Sequence, residues 1–327
     1  MTAKKVMVTG AAGMIGSHLI EELLRQGYEV HGLDMVDKDQ SNNLREVRDN
    51  PAFVYTQADI RDAAAVEKFF QKDASCLYHL ASVVGVKYYM EDPLSLIDIA
   101  ILGTRRLLQL CMDNDVRILF TSTSEVYGRN PNIPWKESDD RVLGATNVDR
   151  WSYSSSKAVV EHMLFGVHHN TGLPMSIVRF FNAYGPRQNP IYVVSQSVHR
   201  VLNGQAPDIY DGGEQTRCFT YVGDVIDGVI KAATMDAAVG EVFNLGNPTE
   251  VSIGEVVRAA VDISGADVQI NDIDTTQKYG AVYEDIIRRV PDVTKAKELL
   301  DWEAGTTYRE GIRKTIQWAR ENPWYLS

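Results

Sequence analysis

Lys4-Lys5-Val6-Met7-Val8-Thr9-Gly10-Ala11-Ala12-Gly13-Met14-Ile15-Gly16 is the stretch whose reading decides the fold. The apolar run up to Thr9 reads as a short buried strand, and apolar residues then recur at helical spacing through Ile20, Leu23 and Leu24. Strand, glycine turn and helix in immediate succession form the context in which glycines spaced by three carry meaning. They permit a tight turn and a close approach of backbone to a diphosphate, while the first turn of the helix offers N–H groups and the positive end of its dipole. A second run, Glu29 to Leu33, ends in Asp34, whose carboxylate is suited to accept hydrogen bonds from an adenosine ribose. Gly10, Gly13, Met14, Ile15, Gly16 and Asp34 are therefore assigned to a dinucleotide. No arginine follows Asp34 directly, so a 2′-phosphate would meet an acid and no cation, which favours NAD over NADP.

Further strand-like runs at 53–56, 76–80, 116–121 and 175–180 alternate with helical stretches. That rhythm predicts an α/β fold: a Rossmann-type doubly wound parallel sheet over 1–180, and a smaller C-terminal substrate-binding lobe over 181–327 with some segments returning to the sheet. Ligands of such sheets bind at the C-terminal strand ends. Leu80 and Ala81 follow the fourth strand and are expected near the cofactor, as are Asp59 and Ile60 after the third. Asp59 reads either as a partner of the adenine amino group or as a solvent-facing loop acid, and His79 as a structural histidine. Asp62 is expected to cap a helix, Asp92-Pro93 to open one running through Leu110, and the pairs Ser252/Glu255 and Thr307/Glu310 to form capping boxes.

The bulk properties set bounds on partners. A net charge of −11 over 327 residues, with no basic stretch, argues against nucleic acid and against anionic membrane surfaces, leaving small molecules. Cys76, Cys111 and Cys218 are odd in number and widely spaced, which fits neither a disulfide framework nor a metal site. Without a signal-peptide pattern or an apolar run near about 18 residues, a soluble, cytoplasmic protein is expected.

The chemistry points to Tyr153-Ser154-Ser155-Ser156-Lys157. On a helix this spacing puts phenol and ammonium on one face, one turn apart, and the cation is expected to favour a phenolate able to exchange a proton with a substrate hydroxyl. Taken alone, the pattern also describes a solvated helix face. The neighbouring run Ser122-Thr123-Ser124-Glu125-Val126-Tyr127-Gly128 follows the fifth strand and brings Thr123, Ser124 and Glu125 to the same sheet edge.

Together with His79-Leu80-Ala81, Asn182-Ala183-Tyr184-Gly185-Pro186-Arg187 and Arg217-Cys218-Phe219-Thr220-Tyr221-Val222-x-Asp224, these motifs resemble the extended short-chain dehydrogenase/reductases that act on nucleotide sugars. The resemblance spans nearly the whole chain. It implies that Thr123 or Ser124 holds the sugar 4-hydroxyl, that Tyr153 removes its proton, and that Lys157 binds the nicotinamide ribose. It further implies substrate contacts from Asn182, Arg187 and Arg217, with Asn182 and Arg217 at the diphosphate, and a homodimer formed through the helices from Pro93 and Tyr153.

Within the family, Thr121–Gly128, Arg150–Ser154, Asp211–Thr220 and Arg288–Lys297 resemble the UDP-glucuronate decarboxylase subgroup most closely. There the residues at the positions of Glu125 and Arg289 serve the carboxylate-bearing end of the sugar. Read from residue type alone, Arg289 is equally suited to a diphosphate contact or a surface ion pair. The 4,6-dehydratases have an Asp-Glu pair where this chain has Ser124-Glu125, and the 4-epimerases often have a small or hydroxylic residue in place of Glu125. Val83–Tyr89 and Gln188–Ser197 depart from the decarboxylase pattern. The expected function is NAD-dependent oxidation of a nucleotide sugar, UDP-linked, at C4, leading to decarboxylation of UDP-glucuronate. 4-Epimerisation, 4,6-dehydration and, remotely, a catalytically silent NAD(H) sensor are the alternatives.

Overall fold

The computed structural model describes residues 4–85, 92–273, 286 and 288–327. Of the first divergent segment, Val86–Tyr89 lie outside the described residues.

Seven parallel strands form the central sheet: β1 Lys5–Thr9, β2 Glu29–Asp34, β3 Phe53–Gln57, β4 Cys76–His79, β5 Arg117–Thr123, β6 Met175–Phe180 and β7 Glu241–Leu245. Their order is β7-β6-β5-β4-β1-β2-β3, so the chain reverses direction of travel between β1 and β4. A doubly wound sheet opens its ligand crevice at that point. The strands are apolar on both faces because helices cover both. On one face α1, Met14–Arg25, packs with the helix Val222–Thr234, burying Leu19, Leu23, Val225 and Val229. On the other lie α2, Ala63–Phe69, and the long α3, Arg150–Thr171, with Val66, Val160 and Leu164 in the core. Helices Val193–Leu202, Ile253–Ser264 and Tyr308–Glu321 bury a separate cluster that includes Val198, Val256 and Ile312.

Local encoding accounts for most boundaries. Asp62 accepts the Ala64 and Ala65 N–H groups, and Asp92 the N–H of Ser95 with Pro93 at the first helical position. Ser252 and Glu255 form the reciprocal capping box, and Thr307 accepts the Glu310 N–H. Two boundaries differ from the sequence reading. The helix from Pro93 changes to a π-turn at Ile99–Gly103, where a Cβ on Gly103 would lie 2.4 Å from Ile60 Cδ1 and Thr104 Oγ1 bonds the Ala100 carbonyl. Gly103, with no Cβ, lets this turn lie directly against Ile60. Strand β5 runs on to Thr123, which pairs with Phe180, so two polar residues beyond the apolar run remain in the sheet. Among the described residues, no helix is long and apolar enough to cross a membrane.

Candidate active site

A cleft of about 650 Å³ opens at the strand ends, with Gly10, Gly13, Gly16 and Asp34 at one end and Thr123, Glu125 and Arg289 at the other. Tyr153 and Lys157 also line it.

The first end is made of backbone. Gly10 turns at φ +73°, and its N–H and that of Ala11 donate to Leu33 O at 2.9 and 3.2 Å, locking the turn onto β2. A Cβ on Gly10 would meet Ala81 N at 2.9 Å, and one on Gly16 would meet Gly10 O at 2.0 Å. Helix α1 begins at Gly13 with no side-chain cap, so the first-turn N–H groups have no side chain set over them. Asp34 accepts from Ala12 N at 3.0 Å and Val36 N at 3.2 Å. The nearby cations turn elsewhere: Lys38 Nζ donates to Arg48 O and Arg48 Nη1 to Asp39 O. A glycine turn with no room for side chains, an uncapped helix start and a carboxylate beside it fit a dinucleotide.

Four expected residues do not line the cleft. Asp59 is held by its own neighbour, Arg61, whose Nε and Nη2 both reach its carboxylate. Ile60 is packed on Gly103, Ala81 presents only its backbone to Gly10, and Arg217 stands in a short antiparallel pair with the Val251 strand. Arg187 does line the cleft, but it pairs with Glu21 of α1 and so leans toward the dinucleotide end. Asn182, at φ 38°, lines the cleft and bonds Cys218 O at 3.4 Å.

At the centre, Tyr153 is buried and hydrogen-bonded to the hydroxyls of Ser82 and Thr123. Lys157 Nζ donates to Thr121 O at 2.9 Å and lies 4.6 Å from the Phe120 ring centroid. Burial, and not the expected cation effect, sets the direction of both shifts here. Burial, then the charge of Glu125, raises the Tyr153 pKa well above the usual phenol value, and burial lowers that of Lys157 to about 7. Desolvation penalises the charged form of each, and Lys157, 6.0 Å from the Tyr153 ring centroid, is directed at a carbonyl. His79 bridges Thr9 Oγ1 at 2.7 Å and Thr104 Oγ1 at 2.8 Å, with burial lowering its pKa to about 3, as suits a neutral structural histidine.

The second end is made of side chains. Ser124–Tyr127 form a tight turn after β5, with Thr123 Oγ1 accepting the Glu125 N–H at 3.2 Å and Ser154 Oγ donating to Glu125 O at 2.6 Å. The Glu125 carboxylate meets Arg289 Nη1 at 2.5 Å and Arg150 Nη2 at 3.7 Å. Both guanidinium side chains are less than a tenth exposed, so the surface-pair reading of Arg289 is removed. Arg150 and Ser82 are absent from the sequence-based set. Arg150 stands three residues before Tyr153, the spacing that shares a helix face, and could have been found on that ground. Ser82 carried only the signal of a small polar residue after a strand.

Residues 7–315 match the family model described as GDP-mannose 4,6 dehydratase, and the chain belongs to this family of extended short-chain dehydrogenases. Among its relatives, UDP-N-acetyl-alpha-D-glucosaminuronate decarboxylase of Bacillus cytotoxicus is 37% identical over 322 residues, covering 97% of this chain and 98% of the relative. UDP-glucuronic acid decarboxylase 1 of Xenopus tropicalis is 33% identical over 97% of this chain and 72% of its own length. The solved UDP-glucuronic acid 4-epimerase of Bacillus cereus, in complex with UDP-glucuronic acid and NAD, superposes with a TM-score of 0.84 at 28% identity, covering 97% of this chain and 99% of that one.

Proposed function

We propose that the protein is an NAD-dependent decarboxylase of a UDP-linked hexuronate, UDP-glucuronate in the first instance. The observation that carries this reading is the convergence of Arg150 and Arg289 on Glu125 at the sugar end of the cleft. A guanidinium carries five N–H donors in a planar fork, enough to hold Glu125 and a substrate carboxylate together. A neutral hexose offers such a pair of forks only hydroxyl acceptors and no charge to match. The relatives add support, since both named above are decarboxylases of uronic acids.

Gly10, Gly13, Gly16, Asp34 and Lys157 would hold the dinucleotide, and Asp34 selects NAD by opposing a 2′-phosphate. When bound, the nicotinamide supplies a hydride acceptor for C4 and a positive charge that opposes the burial-driven rise of the Tyr153 pKa. The chain's own residues handle the proton and the carboxylate. Tyr153 Oη, in its phenolate form, takes the proton of the C4 hydroxyl, which Thr123 and Ser124 orient. The 4-keto sugar is then a β-keto acid: the C5–C6 bond breaks, CO₂ leaves, and the electron pair passes into an enolate whose oxygen Tyr153 and Thr123 stabilise by hydrogen bonds. Arg289, fixed by its pair with Glu125, would hold the carboxylate until it leaves, C5 takes up a proton from water, and Tyr153 gives its proton back to the C4 oxygen as the alcohol is restored. Asn182, which lines the cleft, is assigned to the diphosphate, and Arg217, outside it, is given no contact with the substrate. Residues 1–180 serve the dinucleotide and 181–327 mainly the sugar nucleotide. The exposed Leu94, Leu102 and Val159, on the Pro93 and Tyr153 helices, are assigned to a homodimer interface.

Incubation of the NAD⁺-loaded enzyme separately with UDP-glucuronate, UDP-N-acetylglucosaminuronate, UDP-glucose and dTDP-glucose, with products read by mass spectrometry and NMR, tests the reading. Loss of CO₂ from UDP-glucuronate is expected. Turnover of the acetamido substrate alone would move the assignment to that uronate. Unchanged mass with inverted C4 would make the protein an epimerase, and loss of water from a neutral sugar a dehydratase.

A further inference from the structure

The ion pair between Glu125 and Arg289 joins residues 164 positions apart, and neither belongs to a long regular element that would fix it. Glu125 is in the Ser124–Tyr127 turn, and Arg289 in an extended segment held by the bridge of Pro291 to Trp135 and by Arg288, whose Nε and Nη2 donate to the Glu250 carboxylate at 2.8 and 2.6 Å. In that bridge Trp135 N donates to Val290 O and Asp292 N to Trp135 O, each at 2.8 Å.

One side chain spans both pieces. Asn244, fully buried in β7, donates from Nδ2 to Trp135 O at 2.9 Å and to Asp292 O at 3.1 Å, pinning the two chains of the bridge together. Its Oδ1 accepts the Tyr127 hydroxyl at 2.7 Å, and Tyr127 is the last residue of the turn that carries Glu125. The Tyr127 ring stacks on Trp135 at 5.0 Å, closing the same triangle. The Asn244 backbone N–H is taken by Glu137 Oε1 at 2.8 Å, which leaves the side-chain amide for this task alone.

We propose that Asn244 is a positioning residue that sets Arg289 against Glu125 and thereby determines the preference of the cleft for a carboxylated sugar. The inference rests on the functional reading above. Asn244 does not line the cleft and touches no reacting atom. It acts because a buried primary amide supplies two donors and one acceptor at once, and each of its three bonds ends on a different part of the frame. Asparagine is required for the donors. An aspartate would keep the bond from Tyr127 but turn lone pairs toward two carbonyl oxygens, pushing Asp292 and Trp135 away from β7 and shifting the Arg289 segment while the Glu125 turn stays tied.

The test compares Asn244→Asp, Arg289→Ala and the double variant with the wild type, all loaded with NADH. Calorimetry gives dissociation constants for UDP-glucuronate, UDP-glucose and UDP. In Asn244→Asp the preference for UDP-glucuronate over UDP-glucose is expected to fall about tenfold, with UDP affinity unchanged. The double variant should discriminate no worse than Arg289→Ala, since both changes act through one contact. An unchanged preference, equal weakening of all three ligands, or additive losses would each overturn the assignment and leave Asn244 merely structural. Should Asn244→Asp fail to bind NADH, Tyr127→Phe, which cuts the same amide from the Glu125 turn and also removes an acceptor of Arg179 Nη1, is read by the same criteria, with Arg179→Lys as the control for the second loss. A wild type without preference for the uronate overturns both this inference and the functional reading; a preference that survives in the variant overturns this inference alone.

Discussion

The two ends of the cleft are built from different materials. The dinucleotide end is a turn of backbone and glycine contained in residues 10–16, closed by Asp34 from the adjacent strand. The sugar end is assembled from side chains at Glu125, Arg150 and Arg289, held in place by a network that also draws on Tyr127, Trp135 and Asn244. One end is specified by a short piece of chain and tolerates almost no side chain. The other exists only after the sheet has closed, and its chemistry can be altered by substitutions that leave the first untouched. If this contrast is right, the two binding functions should be separable by mutation.

The largest effect should come from the residue that both ends share. Tyr153→Phe is expected to lower kcat by about 10²- to 10⁴-fold, while the dissociation constants of NADH and of the UDP-sugar stay near wild type. Fluorescence titration measures the first ligand and calorimetry the second. Retained turnover would remove Tyr153 from the proton transfer.

Next in size is a change confined to the sugar end. Removing one partner from a buried, hydrogen-bonded charge pair costs about 2–5 kcal/mol, so Arg289→Ala should weaken UDP-glucuronate binding by roughly 10²-fold or more without altering NADH binding. A parallel loss of NADH affinity would show that the two ends are not independent. Glu125→Gln sharpens the same point: CO₂ release should fall further than C4 oxidation, and equal losses in both would reduce Glu125 to a positional role.

The matching change at the other end is smaller. Asp34→Ala removes a charged hydrogen-bond acceptor worth about 1.5–3 kcal/mol, so NADH affinity should fall tenfold or somewhat more, and the preference over NADPH should narrow. UDP-sugar binding should not respond. If it does, Asp34 stabilises the fold through its bonds to Ala12 and Val36 more than it serves the cofactor.

The same contrast governs what could be read from the sequence. Strand, glycine turn, helix and acid are neighbours in the chain, and the geometry they need follows from the absence of side chains and from local capping, so the dinucleotide end was legible from residues alone. The strand before it placed Glu125 at the sheet edge, but its shared role with Arg289 was legible only through family resemblance, because no local pattern links positions so far apart. Asp59 shows the opposite case. The residues left this acid between an adenine contact and a solvent-facing loop position, and the arginine two residues on, which holds its carboxylate, favours the second. The Tyr153 to Lys157 spacing gave the face but not the burial that pushes the phenol up and the ammonium down, since periodicity reports direction and says nothing of burial.

An effect of a different kind, on stability and not on binding, belongs to Lys157, which sits between the two ends. Burial lowers its pKa from 10.5 to about 7, against a partly opposing pull from the charge of Glu161 one turn along α3. The unfolded chain therefore holds this proton up to about pH 10.5, whereas the folded protein releases it near pH 7. Between those limits the unfolded state binds more protons, so this group's contribution to stability grows as pH rises and is lost as pH falls toward 7. The slope from one such group is at most about 1.4 kcal/mol per pH unit. Lys157→Met cannot titrate, and its urea-unfolding free energy between about pH 7.5 and 9.5 should lack that component of the rise. Identical slopes in wild type and variant would mean that the ammonium stays charged in the fold, held by Thr121 O and the Phe120 ring strongly enough to outweigh its desolvation. In that case Lys157 could hold Tyr153 as a phenolate without help from a bound nicotinamide, and the proton chemistry would belong to the protein before either ligand arrives.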